Sequence, residues 1–224
     1  MKGVIVYTTI FGASNRLPQA PAGADRCVCF VDAPYDDAKG WELVTEFPAT
    51  NPRRRAWDLR CVPHELFSDY SRVVWTDASF TVTDLPRLLR DAGTAPIAAL
   101  RHHHRRSPEQ EGATLVKVGS ANAEDIKRQL DGYRRERFTV SCVSISCVIV
   151  RDHSQAVQGF NQTWHAEINT HRGDNTQVSL DYSAWKHGLA IKALAGTRHE
   201  NPYAVHDHLD HKRRRKPYDL ERAS

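Results

Sequence analysis

Three short apolar runs, Gly3–Thr9, Arg26–Asp32 and Ser71–Thr76, are rich in β-branched residues, and each ends at or against an oxygen-bearing side chain. Runs of this length without polar alternation read as strands buried on both faces. Helical segments separate and follow them. Asn51-Pro52 opens a helix that runs through Trp57 and Leu59 towards Pro63, with proline suited to the first helical position. A short helix around Glu65–Phe67 comes next. Asp84–Ala92 carries Leu85, Leu88 and Leu89 on one face, and Ala121–Arg134 carries Ile126, Leu130 and Tyr133. Ser154–Ile168 and Thr176–Lys186 are also helical. Pro96–Leu100, Val140–Arg151 and Leu189–Leu194 supply further strands, and Trp41–Phe47 a short one. Strands alternating with helices predict an α/β fold, with a mainly parallel sheet flanked by helices. Ligands of such sheets bind beyond the carboxyl ends of the strands. Thr8, Thr9, Asp32 and Asp77 should therefore meet at one edge.

The chain has 224 residues, 40% hydrophobic and 26% charged, enough for a sizeable core and ordinary for a globular domain. No stretch approaches the roughly 18 apolar residues that span a bilayer. The opening MKGVIVYTTIFG is too short and lacks the cleavage site of a signal peptide, so the expected location is cytoplasmic. The five cysteines are odd in number and form no CxxC pair, which favours small buried hydrophobes in a reducing compartment. With no internal repeat and no linker, residues 1–198 read as one domain and residues 199–224 as a basic, histidine-rich tail. The net charge of +4 is concentrated in three runs: Arg53–Arg55, Arg101–Arg106 and His211–Lys216. Such runs are solvated surface, or they meet phosphate. Residues 101–119 read as irregular and polar. The three histidines at 102–104 cannot all face one ion from a strand, because side chains alternate. That loop faces substrate or solvent.

Asp77 follows the apolar strand VVWT and precedes Ala78-Ser79. Taken alone, an acid there is either a turn or cap residue or a ligand for a divalent cation. The wider pattern is more specific. YTTIFGASNRL, CFVD, Trp41 and PRRRAWDLRCVPHELFSDYSRVVWTDAS occur in that order over residues 7–79. They are followed by RHHHRRSPEQEG, by Gln129 and Tyr133, by WHAEI at 164–168 and by Gln177-Val178-Ser179. Over roughly residues 5–190 this order resembles the glycosyltransferase-like family that includes the plant turgor-regulation-defect and mucilage-related proteins. That family's segments read YT.IFG.YD.L, CFTD, R..K..PH, WIDAS, YEE, W..EI and RDQ.S. Two positions depart: Thr176 stands where the acid of RDQ belongs, with Asp174 two residues earlier, and the tyrosine of YEE is absent.

The resemblance implies a GT-A-like, Rossmann-like fold and transfer of a sugar from a nucleotide-diphosphate sugar, with UDP-sugars favoured. Mn²⁺ or Mg²⁺ would neutralise the leaving diphosphate. It implies that Thr8, Thr9 and Phe11 border the base and ribose, that Asp32 binds the uracil or ribose, and that Arg55 and Arg60 lie near the diphosphate. Asp77 and Ser79 would meet the metal, with His211 or His208 as a further ligand and Lys212 on phosphate. Glu167 and Asp174 are the candidates to activate the acceptor hydroxyl; Glu167 could equally be a structural partner of an arginine. The acceptor is a modified base in DNA, a glycan or a small molecule. Two other classes use the same residue types: a metal-dependent phosphodiesterase or nuclease, and a non-catalytic nucleic-acid-binding module built on the basic runs.

Overall fold

The runs that read as buried strands form the middle of one sheet. The structure, a computed structural model, describes residues 2–12, 16–45, 51–171 and 176–206. Its strands are β1 (Lys2–Ile10), β2 (Arg26–Val31), β3 (Glu42–Thr45), β4 (Tyr70–Thr76), β5 (Phe80–Val82), β6 (Ile97–Arg101), β7 (Ser144–Arg151), β8 (Ile191–Ala193) and β9 (Ala204–His206). Its helices are α1 (Pro52–Cys61), α2 (Pro63–Leu66), α3 (Leu85–Ala92), α4 (Pro108–Lys117), α5 (Ala123–Arg135), α6 (Gln155–Thr170) and α7 (Thr176–Lys186). The main sheet has the order β3-β2-β1-β4-β7-β6-β8, and β5 pairs with β9 in a small ribbon. All neighbours in the main sheet are parallel except β7, which runs antiparallel between β4 and β6. The expected mainly parallel α/β sheet is present, with one reversed strand.

Alternation along the strands divides the apolar residues between two cores. Val6, Val74, Val150 and Ala98 pack against Leu85 and Leu88 of α3. Ile5, Tyr7, Trp75 and Ile149 pack against Leu59 of α1, Phe160 and Trp164 of α6, and Leu180 of α7. A third cluster joins α4, α5 and α7, where the Tyr133 and Tyr182 rings stack at 3.8 Å. All five cysteines are free, three of them buried. Among the described residues no helix is long and apolar enough to cross a membrane.

Residues 101–119 are not wholly irregular. Ser107 caps α4, its side chain accepting from the backbone N–H of Gln110, and Pro108 occupies the first turn with Glu109 and Glu111. Gly112 lets α4 approach α5: a Cβ there would lie 2.6 Å from Ile126 Cγ2. Nor does the chain become a tail after Arg198. Tyr203 is buried, and β9 pairs with β5 in the register Phe80↔His206.

The least expected interior residue is Arg151, which is fully buried at the end of β7. Its guanidinium donates to Asn161 Oδ1 at 2.8 Å, to the Tyr7 hydroxyl at 2.8 Å and to the carbonyl of Arg60 at 2.8 Å. It thereby ties β7 to β1, α1 and α6 without a carboxylate partner among the described residues. Burial pushes the Tyr7 hydroxyl up to about 12, so the phenol stays neutral beside this cation. Arg151→Ala removes the donor to the buried Asn161 Oδ1 and Tyr7 hydroxyl and one of two donors to the Arg60 carbonyl, and opens a cavity. It should lower stability by about 3 kcal/mol or more. Urea unfolding measures this, and a loss below about 1 kcal/mol would mean that water replaces the guanidinium.

Candidate active site

β1 lies between β2 and β4, so the chain's progress across the sheet reverses there, and the crevice beyond the carboxyl ends of β1 and β4 is the natural ligand site. Phe11 and Gly12 follow β1, Asp32 follows β2 and Asp77 follows β4. Because β7 is reversed, its amino end, Ser144 to Cys147, comes to the same edge. Pairing between β6 and β7 breaks there: Ala99 faces Ile149, but Leu100 faces Ile145. This bulge leaves residues 146–148 without β6 partners, and Val148 pairs with Thr76 of β4. The backbone N–H of Asp77 donates to the Cys147 carbonyl at 2.8 Å, and the Asp77 carbonyl accepts from the N–H of Phe80 at 2.9 Å.

The Asp77 carboxylate is held by one oxygen. Oδ1 accepts from Arg60 Nη2 at 2.7 Å and from the Trp75 indole N–H at 3.1 Å. Among the described residues Oδ2 takes no hydrogen bond, and the side chain is 27% exposed. Arg60 Nη1 donates to Ser146 Oγ at 3.0 Å, and its guanidinium carbon lies 4.7 Å from the centre of the Trp75 ring. Arg60, expected beside a diphosphate, is a buried residue whose guanidinium bonds Asp77. The signal was present: Trp75 and Asp77 share a face by strand alternation. Ser146, which completes the clamp, carries no motif.

The other expected donor-side residues are distributed as follows. Thr8 is sealed in the sheet with its hydroxyl buried and unpartnered among the described residues, so it lies beneath the edge rather than on it. Thr9 and Phe11 are 8% and 6% exposed, and Phe11 belongs to the core that contains Tyr7 and Phe30. Asp32 Oδ2 accepts from the N–H of Gly12 at 2.6 Å, joining the ends of β1 and β2. Arg55 is half-buried on α1. Arg54, from the basic run at 53–55, donates to the carbonyl of Ile168 at 3.2 Å and so joins α1 to α6. Ser79 is half-buried in the turn after Asp77. Asp174, His208, His211 and Lys212 lie outside the described residues.

α6 starts beyond the opposite edge and runs for 16 residues. At 1.5 Å per residue it travels about 24 Å, which returns Glu167 to the edge that carries Asp77. Among the described residues Glu167 has no arginine partner. Its Oε2 accepts from the Tyr133 hydroxyl at 2.7 Å and from Gln129 Nε2 at 3.3 Å, with His171 Nε2 at 3.7 Å. Burial and the Glu167 charge raise the Tyr133 hydroxyl well above its usual value, which keeps it a donor. As with Asp77, the second oxygen of Glu167 takes no hydrogen bond among the described residues. Three partnerships were not foreseen. Glu111, fully buried, pairs with Arg105 and accepts from Gln177 Nε2 at 2.8 Å. Asp181 accepts from the N–H of Ser144 at 2.7 Å and from Arg101 at 3.0 Å. His102 Nδ1 accepts the N–H groups of His104 and Arg105, and partial burial with Arg105 beside it pulls its pKa down to about 4.

Among the described residues no three histidine, cysteine, aspartate or glutamate side chains converge as a divalent cation would need. Asp77 Oδ2 and the Ser79 hydroxyl are the oxygens offered at the end of β4. A cation there fits only if ligand oxygens, water or residues beyond His206 complete the shell.

No curated protein matches the sequence. The solved apo structure of the WbbM bifunctional glycosyltransferase superposes with a TM-score of 0.51 at 15% identity, over 86% of this chain. This chain spans 39% of that protein, and the likeness concerns the fold. Residues 38–195, well over half of the chain, match the family described as TOD1/MUCI70, glycosyltransferase-like domain. The chain belongs to the TOD1/MUCI70 family of glycosyltransferase-like domains.

Proposed function

We propose that this chain transfers a sugar from a nucleotide-diphosphate sugar, with a UDP-sugar favoured, to an acceptor hydroxyl, and that it uses Mn²⁺ or Mg²⁺. One observation carries the reading: at the switch point of the sheet, Asp77 has one carboxylate oxygen clamped and the other open. A carboxylate fixed in this way directs its second oxygen with little loss of freedom on binding. Oδ2 and the Ser79 hydroxyl would hold the cation, whose contribution is to offset the charge on the leaving diphosphate. Asp32 and Gly12 fix the ends of β2 and β1, where the base and ribose would lie, with Thr9 and Phe11 forming the floor. Arg55 would reach phosphate from α1.

On the acceptor side, Tyr133 and Gln129 hold one oxygen of Glu167, and the other would accept the proton of the attacking hydroxyl. Asp174 is the competing base. The segment beyond β9 would close the donor site. His206 stands opposite Phe80, three residues after Asp77. His208 or His211 would supply a further ligand to the cation, and Lys212 would meet the phosphate. The acceptor would be a glycan, a small molecule or a modified base in DNA, and the working compartment the cytoplasm.

Three outcomes follow from this assignment. Calorimetry with UDP should show affinity that depends on Mn²⁺, is lost with a chelator, and is lost in folded Asp77→Ala; metal-dependent binding that survives the substitution would remove Asp77 from the site. Arg60→Lys keeps the charge but cannot bond Asp77 and Ser146 together. It should weaken metal-dependent UDP binding by about tenfold, or about 1.4 kcal/mol, while metal-free binding of uridine stays the same. Equal losses for both ligands would make Arg60 a packing residue. Truncation after His206 should abolish sugar transfer with the fold intact, and near-normal turnover on a small acceptor would remove the terminal segment from the donor site.

A further inference from the structure

His64 ends the segment RCVPH and lies on α2, where neither the donor site nor the acceptor side uses it. Its side chain is 8% exposed. Nδ1 lies 3.3 Å from the amide nitrogen of Asn161 on α6, and Asn161 Oδ1 accepts from Arg151 Nη1 at 2.8 Å. A guanidinium only donates, so the Asn161 amide must turn its oxygen to Arg151 and its NH₂ to His64. That NH₂ only donates as well. His64 Nδ1 is therefore the acceptor, and the neutral ring carries its proton on Nε2, which is buried without a hydrogen bond among the described residues.

This order has no place for a second proton. An Nδ1–H would point at the Asn161 NH₂, and turning that amide would point its NH₂ at Arg151. Protonation therefore breaks the bond to Asn161 or the bond from Asn161 to Arg151. Charge acts in the same direction. The titratable groups facing His64 are Glu65 from its own helix, with Oε1 3.8 Å from Nε2, Arg151 from β7, His165 from α6 and His153 from the turn after β7. Glu65 is 64% exposed and screened by water, and His165 is bonded to Asp58 at 2.8 Å. Arg151 is a fully buried cation. Burial lowers the His64 pKa, and Arg151 and His165 add to this against the pull of Glu65.

The far end of the same chain of bonds is the Asp77 clamp. Arg151 Nη2 and the Tyr7 hydroxyl both donate to the Arg60 carbonyl, at 2.8 and 3.0 Å, and the Arg60 guanidinium bonds Asp77 Oδ1. We propose that His64 is a positioning residue for Asp77, acting through Asn161, Arg151 and Arg60, and that it holds the clamp only while its ring is neutral. This rests on the transferase reading and adds a proton-linked control of its cation-binding acid. The held state has the lower His64 pKa, so the positioning is complete above about 6.5 and is lost as the pH falls towards the lowered value.

The test follows the full chain by ¹H–¹⁵N NMR from pH 8 to pH 5, through the His64 ring and the Trp75 indole N–H, which bonds the same Asp77 oxygen as Arg60. The Trp75 signal should move with the His64 titration in wild type and lack that step in His64→Asn, whose amide oxygen replaces Nδ1 as acceptor and takes up no proton. Calorimetry supplies the second arm. His64→Leu should bind UDP with Mn²⁺ about tenfold more weakly at pH 8, with metal-free uridine unaffected, and His64→Asn should recover the loss. Between pH 8 and pH 5 wild type should lose about tenfold more UDP affinity than His64→Asn. A Trp75 signal indifferent to His64 protonation, or the same pH dependence in wild type and His64→Asn, would overturn the proposal. Equal losses for UDP and uridine would reduce His64 to a packing residue and overturn it too. If neither variant folds, wild type alone decides: a shared midpoint for the two signals supports the coupling, and separate midpoints refute it. Absence of Mn²⁺-dependent UDP binding at pH 8 would sink the transferase reading, while the Trp75 signal still reads whether His64 controls the clamp.

Discussion

A guanidinium held between an indole and a carboxylate decides how the working edge of this sheet is organised. Arg60 leaves the last turn of α1, crosses the face of Trp75, and divides its donors between Asp77 and Ser146. The carbonyl of the same residue is held from below by Tyr7 and Arg151. One residue thus locks a helix end, two antiparallel strands and the central acid together. Burying such a cation is costly unless it is well bonded. The fold meets this with hydroxyl, carboxylate and π-face partners rather than with a simple ion pair, although Nε is buried without a hydrogen-bond partner among the described residues.

Much of the frame was legible because apolar patterning and capping are local. β1, β2 and β4, the helices α1, α3, α5, α6 and α7, and the convergence of Asp32 and Asp77 on one edge all follow from runs and periods. The reversal of β7 was not legible, since a strand buried on both faces looks the same in either direction. α4 was overlooked because its apolar side is thin, although Ser107-Pro108-Glu109 carries a helix start. β5 and β9 have three residues each, too few for a period, and exist through their pairing with each other.

The site was half legible for a related reason. A motif names a residue but not its partner. Asp77 stood out, and Arg60 stood out as a cation, but their mutual bond depends on the approach of α1 to β4, which no spacing encodes. Glu167 was visible as an acid, while the Tyr133 and Gln129 that hold it come from another helix. The basic run at 101–106 looked uniform and is divided by the fold. Arg101 bonds Asp181, Arg105 bonds Glu111, and His102 becomes a turn acceptor, leaving His103 and His104 outward.

The bulge between β6 and β7 has an architectural consequence. A strand in a sheet normally answers to both neighbours with one phase, so moving a side chain for chemistry on one flank disturbs packing on the other. Here β7 is decoupled near its amino end: Cys147 and Val148 both turn to the α3 side, and the regular alternation resumes at Ile149. The strand therefore behaves like a shaft with a clutch. Its Arg151 end pairs with both neighbours, while at its amino end Ser144 and Ile145 pair with Arg101 and Leu100 of β6 and residues 146–148 fall in the slip between the two registers. Ser146, which bonds Arg60, sits inside this slip, beside the Leu100–Ile145 pair and before the Ala99–Ile149 pair, so the phase of the Asp77 clamp is set where the two registers meet.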